Sequence, residues 1–216
     1  MRSKEQLHSK TRSAQLSSSE KKYVTLPLAE VYIEHVLCVD LDGTLVDSRE
    51  ANFLAYSRAF QHVGRELERE LFDRGFGLRA EEFFFTTASG ASEDEKRMIR
   101  SEKSRIYREC FDLVRVNESL VAFLRGQSHL RIGLVTSASR DNAKQVLDAF
   151  GLSNLFAFEV FGEDVRSAKP APDAFLKAAE LAGCAPEACL AFEDSPAGIE
   201  SASGAGCQIM RIQGWC

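Results

Sequence analysis

Apolar positions fall in short unbroken runs at two places in the chain and at helical spacing between them. The first run, Val36-Leu37-Cys38-Val39, ends at Asp40 and reads as a strand buried on both faces. From about Arg49 the spacing becomes helical, with Phe53, Leu54, Tyr56, Ala59 and Phe60 as the expected buried face and Ser48 at the capping position. The helical pattern continues to about residue 126. It includes a long charged helix from Glu93 to Phe111 and another from Asn117 to Leu124, with Asn117 as cap, and no parallel-sheet strand. From Arg131 strands and helices alternate: Ile132–Val135, Arg140–Phe150 closed by Gly151, Phe158–Phe161, Pro172–Ala182 ending at Gly183, Ala188–Phe192, Pro196–Ala205 and Cys207–Ile212.

This order predicts an α/β fold: a Rossmann-like parallel sheet with helices on both faces, interrupted after its first strand by an α-helical insertion. The division it implies is a polar N-terminal extension over 1–35, a core formed by 36–47 and 127–216, and an inserted helical domain over 48–126. Gly204, inside the last helix, costs about 0.5–1 kcal/mol relative to alanine.

Composition narrows the functional classes. At 216 residues and 44% hydrophobic content, the chain can bury one sizeable core and a smaller appended unit. A net charge of -5, with no basic stripe interleaved with aromatics, gives no long-range attraction for nucleic acid or an anionic membrane. No apolar run approaches a membrane span, and Lys4, Glu5 and His8 stand where a signal peptide needs an apolar centre, so the expected location is the cytoplasm. The six cysteines lack CxxC spacing and the four histidines are scattered, which argues against zinc, a disulfide framework and a Ser/His triad.

Four motifs remain. Asp40-Leu41-Asp42-Gly43-Thr44 places two carboxylates on the same side of the chain at a strand end, one suited to attack and the other to give a proton. Thr136-Ser137 follows the second strand, where hydroxyls and open backbone amides can bind phosphate oxygens. Lys169-Pro170-Ala171-Pro172-Asp173 fixes a lysine in a stiff turn, and Glu193-Asp194-Ser195 brings hard oxygen ligands to another strand end. In open parallel sheets, ligands sit at the carboxyl ends of the strands, where Asp40, Thr136 and Asp194 would emerge together.

In this order the four motifs resemble those of the haloacid dehalogenase-like superfamily, over about Val36 to Ile212. They are most similar to the subgroup of β-phosphoglucomutases and phosphoglycolate phosphatases, whose small helical cap matches the insertion. The resemblance implies a magnesium-dependent phosphatase acting on a small phosphorylated metabolite. Asp40 would be the nucleophile and Asp42 the acid and base. Mg2+ would be held by Asp40, the Asp42 main-chain carbonyl and Asp194, with Glu193 as a supporting acid. Thr136, Ser137 and Lys169 would hold the phosphoryl oxygens. Lys103 and Arg105 are candidates for substrate contact from the cap. Sugar phosphomutases of the same superfamily, which place a histidine where this chain has Asn52, are the nearest alternative; a catalytically silent binding or regulatory module is another. The chain also stops soon after its last strand, where relatives continue through another strand and helix, which is expected to leave a sheet edge uncovered.

Overall fold

The computed structural model describes residues 36–214, so the expected extension over 1–35 lies outside the described residues. Five strands form one parallel sheet: β1 (Val36–Val39), β4 (Arg131–Val135), β5 (Phe158–Val160), β6 (Cys189–Glu193) and β7 (Gln208–Arg211), in the order β5-β4-β1-β6-β7. The central strand β1 pairs with β4 on one side and β6 on the other, Val39 lying opposite Leu134 and Phe192. β7 forms one edge of this sheet.

The alternation of side chains along each strand builds two cores. Leu37, Val39, Ile132, Leu134, Leu190 and Phe192 face α5 (Glu118–Gly126) and α6 (Arg140–Ala149). Val36, Cys38, Val135, Val160, Cys189 and Ala191 face α7 (Asp173–Ala182) and α8 (Pro196–Ala205). Small alanines on α7 and α8 let these helices approach the sheet closely.

Between β1 and β4 the chain forms α1 (Arg49–His62), α2 (Arg69–Gly75), α3 (Ala80–Thr87) and α4 (Glu93–Tyr107), which share a third core of Phe60, Phe72, Phe83, Phe84 and Ile99. The face of α1 that is buried differs from the expected one: Ala51, Asn52, Ala55 and Ala59 go inside with Phe60, while Phe53, Leu54 and Tyr56 are half-buried. Alanines let α1 lie close along α4, and the larger rings fill the margin. α4 stops at Tyr107 and continues as a tighter 3-10 turn over Arg108–Leu113, four residues short of the expected end at Phe111.

A two-residue ribbon joins the insertion to the sheet: β2 (Val46–Asp47) runs antiparallel to β3 (Arg115–Val116). The pattern over 48–126 gave no sign of it, because two residues carry no periodicity. α5, expected within the insertion, packs through Leu120, Val121 and Leu124 into the core on the α6 side of the sheet, which Ala51, Ala55, Ile106 and Tyr107 of the insertion also join. Asn117 caps α5 by accepting from the Leu120 amide at 3.1 Å.

Candidate active site

Three adjacent strands deliver the site. Asp40 follows β1, Thr136 follows β4 and Asp194 follows β6, and the Asp40 amide donates to the Phe192 carbonyl at 3.1 Å. Gly43 turns the chain back with φ +95, and a Cβ on it would lie 2.3 Å from Asp194 Oδ2. This close approach lets Thr44 Oγ1 donate to Asp194 Oδ1 at 2.9 Å.

Lys169 reaches in from the loop before α7. Its ammonium donates to Asp40 Oδ1 at 2.8 Å, Glu193 Oε1 at 2.5 Å and the Val135 carbonyl at 3.0 Å, and the residue is only 5% exposed. Burial alone would lower its pKa, but Asp40 and Glu193 outweigh that and hold it raised and charged. The other Glu193 oxygen accepts from the Ser195 amide and hydroxyl at 3.2 and 3.0 Å. Gly198 leaves room for that carboxylate, since a Cβ there would fall 1.8 Å from Glu193 Oε1. Ser195 in turn caps α8 by accepting from the Gly198 amide at 3.0 Å.

Asp40, Glu193 and Asp194 each offer a carboxylate oxygen within 4.8 Å of the others. Three carboxylates beside one ammonium leave two negative charges uncompensated at this strand end. Burial, and then the Glu193 carboxylate, raise the pKa of both Asp40 and Asp194; Lys169 opposes the rise. A hard-oxygen set with this charge excess fits a divalent cation.

Asp42 takes part in a different set of contacts. Ser48 heads α1, yet its hydroxyl makes no capping bond and instead donates to Asp42 Oδ1. The Asn52 amide donates to the Ser48 carbonyl and hydroxyl at 3.1 Å each and to the Tyr107 hydroxyl at 3.2 Å. Burial raises the Asp42 carboxyl, while the Ser48 hydroxyl and the Lys103 charge pull it back. Lys103 is 3% exposed and lies over the Tyr107 ring at 3.9 Å from its centroid and over Tyr56 at 5.2 Å. Desolvation lowers its pKa to about 8 against the pull of Asp42.

A cavity of about 530 Å³ lies between the insertion and the sheet, and Asp40, Asp42, Thr136, Ser137, Lys169, Asp194 and Lys103 all line it. Glu193 sits beneath that lining, fully buried. Arg105 departs from expectation. It is placed outside the cavity, paired with Glu102 at 3.0 Å and Glu109 at 2.9 Å along an exposed helix face. Ser48, Tyr56, Tyr107 and Asn142 escaped the sequence analysis as site residues. Only Ser48 carried a signal, a polar residue before a helix, and it pointed to capping.

The comparisons with known proteins agree with this geometry. A phosphorylated carbohydrates phosphatase of Thermotoga maritima is 30% identical over 181 residues, covering 81% of this chain and 82% of that protein. Hexitol phosphatase A of Escherichia coli is 34% identical over 181 residues, covering 80% of each. Among solved structures, CbbY of Rhodobacter sphaeroides in complex with phosphate shares the fold with a TM-score of 0.73 at 21% identity, over 83% of this chain and 87% of that one. A family profile described as haloacid dehalogenase-like hydrolase matches residues 37–212, nearly the whole described chain, and the protein belongs to that family.

Proposed function

We propose that this protein is a phosphatase that hydrolyses a small phosphorylated carbohydrate through an aspartyl-phosphate on Asp40, with Mg2+ as cofactor. The observation that carries this is the pair of carboxylates, Asp40 and Asp42, lining one cavity under different contacts: Asp40 against Lys169 and the acidic trio, Asp42 against Ser48. The Asp40 carboxylate attacks phosphorus while the bond to the leaving oxygen breaks, and Asp42 gives that oxygen a proton. Water then attacks the aspartyl-phosphate, Asp42 takes its proton, and the acyl-phosphate bond breaks to release inorganic phosphate and restore both acids. Thr136, Ser137 and Lys169 hold the phosphoryl oxygens. Asp40, Asp194 and the Asp42 main-chain carbonyl would hold the Mg2+, with Glu193 fixing Lys169 and the Ser195 turn. When bound, the ion supplies charge neutralisation and in-line orientation of the phosphoryl group.

The substrate class rests on the relatives' names and on two features of the cavity. Asn142 lines the cavity with a polar side chain, and its Oδ1 is buried without a donor among the described residues. Lys103 brings an ammonium that no carboxylate among the described residues bonds, able to contact a polar or anionic group. Hydrolysis is favoured over phosphomutase chemistry because the Asn52 amide, bonded to Ser48 and Tyr107, cannot exchange a proton as the mutases' histidine does. The proposed division is a polar extension over 1–35, a core over 36–47 and 127–216 and a cap over 48–126, the last helix of which, α5, packs into the core beside the sheet. The proposed setting is the cytoplasm; among the described residues no helix is long and apolar enough to cross a membrane.

The test is phosphate release from hexose and hexitol phosphates, phosphoglycolate, nucleotides and an aryl phosphate, with Mg2+ or with chelator. Release that needs Mg2+ and ranks the sugar phosphates first is the expected result. Conversion of β-glucose 1-phosphate to the 6-phosphate without release would instead make the protein a mutase.

Lys103 gives a pH signature. Below about 8 it is charged and can bind substrate, and above that value it is neutral. For sugar phosphates kcat/KM should therefore fall as pH rises through about 8, and Lys103→Met should remove that limb while lowering the plateau. Stability should move the other way. The folded pKa lies below the ordinary 10.5, so the unfolded chain binds more protons between the two values and Lys103 costs less as pH rises through them. A Lys103→Met profile with the wild-type limb intact would remove Lys103 from substrate binding.

A further inference from the structure

The rim of the cavity carries a contact that the proposed chemistry does not use. Arg79 stands immediately before α3, between Leu78 and Ala80, both of which line the cavity. Its guanidinium crosses from the insertion to the sheet domain. Nη2 donates to the Gly162 carbonyl at 2.6 Å and the Val165 carbonyl at 2.5 Å, and Nη1 to the Arg166 carbonyl at 2.9 Å. Its nearest carboxylate is Glu81, 3.9 Å away and 74% exposed, so the guanidinium is committed to carbonyls rather than to an ion pair.

The acceptor loop is held firmly from the sheet side. The Gly162 amide donates to the Ala138 carbonyl at 3.0 Å, and the Phe161 amide to Asp164 Oδ2 at 2.9 Å. Arg140 grips the same loop, its amide donating to Glu163 at 2.9 Å and its guanidinium to Asp164 at 2.6 Å. Inward-turned amides leave three carbonyls facing the insertion, a partly negative cradle that suits a planar cation with several fixed donors. Its Ala138 contact ties the loop to the Thr136-Ser137 turn, and the chain leads on to Lys169, three residues beyond the last acceptor, Arg166.

We propose that Arg79 is a latch: a positioning residue that holds the helical insertion closed over the cavity by binding the carbonyls of Gly162, Val165 and Arg166. The insertion is also joined to the sheet domain through the short β2–β3 ribbon, through packing beside Ser48 and Tyr107, and through a Gln145-to-Ser104 hydrogen bond of 3.3 Å between α6 and α4. Arg79 ties the far rim. With the latch made, Lys103 stays within reach of a substrate whose phosphoryl group rests on Asp40. With it broken, a substrate that depends on contacts from the insertion loses them, and one too small to reach the insertion does not.

The kinetic part of this inference rests on the phosphatase reading; the structural part does not. Arg79→Gln and Arg79→Lys are compared with wild type in two measurements. In hydrogen exchange, both variants should exchange faster over 80–87 and 162–168, with β1 and β4 unchanged as the control for intact folding. In kinetics, kcat/KM for the best sugar phosphate should fall about tenfold or more, chiefly through KM, while acetyl phosphate changes less than twofold. Arg79→Lys should recover only part of the loss, because one ammonium centre replaces two guanidinium nitrogens, Nη1 and Nη2, that reach different carbonyls. Unchanged exchange in both segments overturns the latch, and an equal loss for both substrates overturns its role in substrate capture. Should wild type release no phosphate from any compound, the phosphatase reading fails while the exchange result still decides the latch.

Discussion

Asp40→Asn is expected to abolish phosphate release, with kcat falling about 10⁴-fold or more, the scale on which loss of a covalent nucleophile acts. The amide keeps the shape of the side chain and can still accept from Lys169, but it cannot form the acyl-phosphate. Stability should behave differently from activity. Asp40 is one of three acids served by one ammonium, and burial and Glu193 already disfavour its charge. Neutralising it relieves that repulsion, so in chelator the variant should melt at the wild-type temperature or above it. Adding Mg2+ should raise the wild-type melting temperature more than that of the variant, which lacks one charged ligand. A folded Asp40→Asn protein that keeps turnover within about a hundredfold of wild type would exclude Asp40 as nucleophile and leave direct attack by water.

Lys169→Met should be the most destabilising single change at the site. The ammonium is 5% exposed and serves Asp40 and Glu193, neither of which can reach bulk water easily. Removing it leaves two buried carboxylates without their cation, a change that costs roughly 3–5 kcal/mol in comparable pairs. For a domain of this size that is a fall in melting temperature of roughly 10 °C. Adding Asp40→Asn to Lys169→Met should recover part of the loss, since the double variant no longer buries the orphaned acid. Calorimetry of the two single variants and the double in chelator measures this. Equal losses in Lys169→Met with and without Asp40→Asn would show that the lysine does not stabilise through its charge on Asp40.

Much of the site was legible in the chain. Asp40, Asp42 and Asp194 stood out because acids ending a buried apolar run are costly unless a cation meets them. Lys169 stood out because the surrounding prolines fix where a lysine can point. Lys103 and Arg105 could not be separated: both are basic and lie on one helix. Each residue turns the helix by about 100°, so two positions apart they point to nearly opposite sides, and only the packing of α4 against α1 decides which side meets the cavity. Ser48 was misjudged for a related reason. Its sequence neighbours make it a cap, but Asp42, returned beside it by the Gly43 turn, offers a charged acceptor that outcompetes a backbone amide.

The chain's own pattern determined the alternation of strand and helix, the helical insertion after the first strand, and the acids that end β1 and β6. These follow from periodicities of two and 3.6 residues and from which residues can close a buried run, all decided among near neighbours. Tertiary structure alone decided the strand order that sets Asp40 between Thr136 and Asp194, the pairing of Lys169 with Asp40 across 129 residues, the alanine face of α1, and the reach of Arg79 to carbonyls more than 80 residues away. Contacts at that separation leave no local period to read. They arise when two-sided burial of the sheet and close packing of small residues fix which strand ends and helix faces can meet.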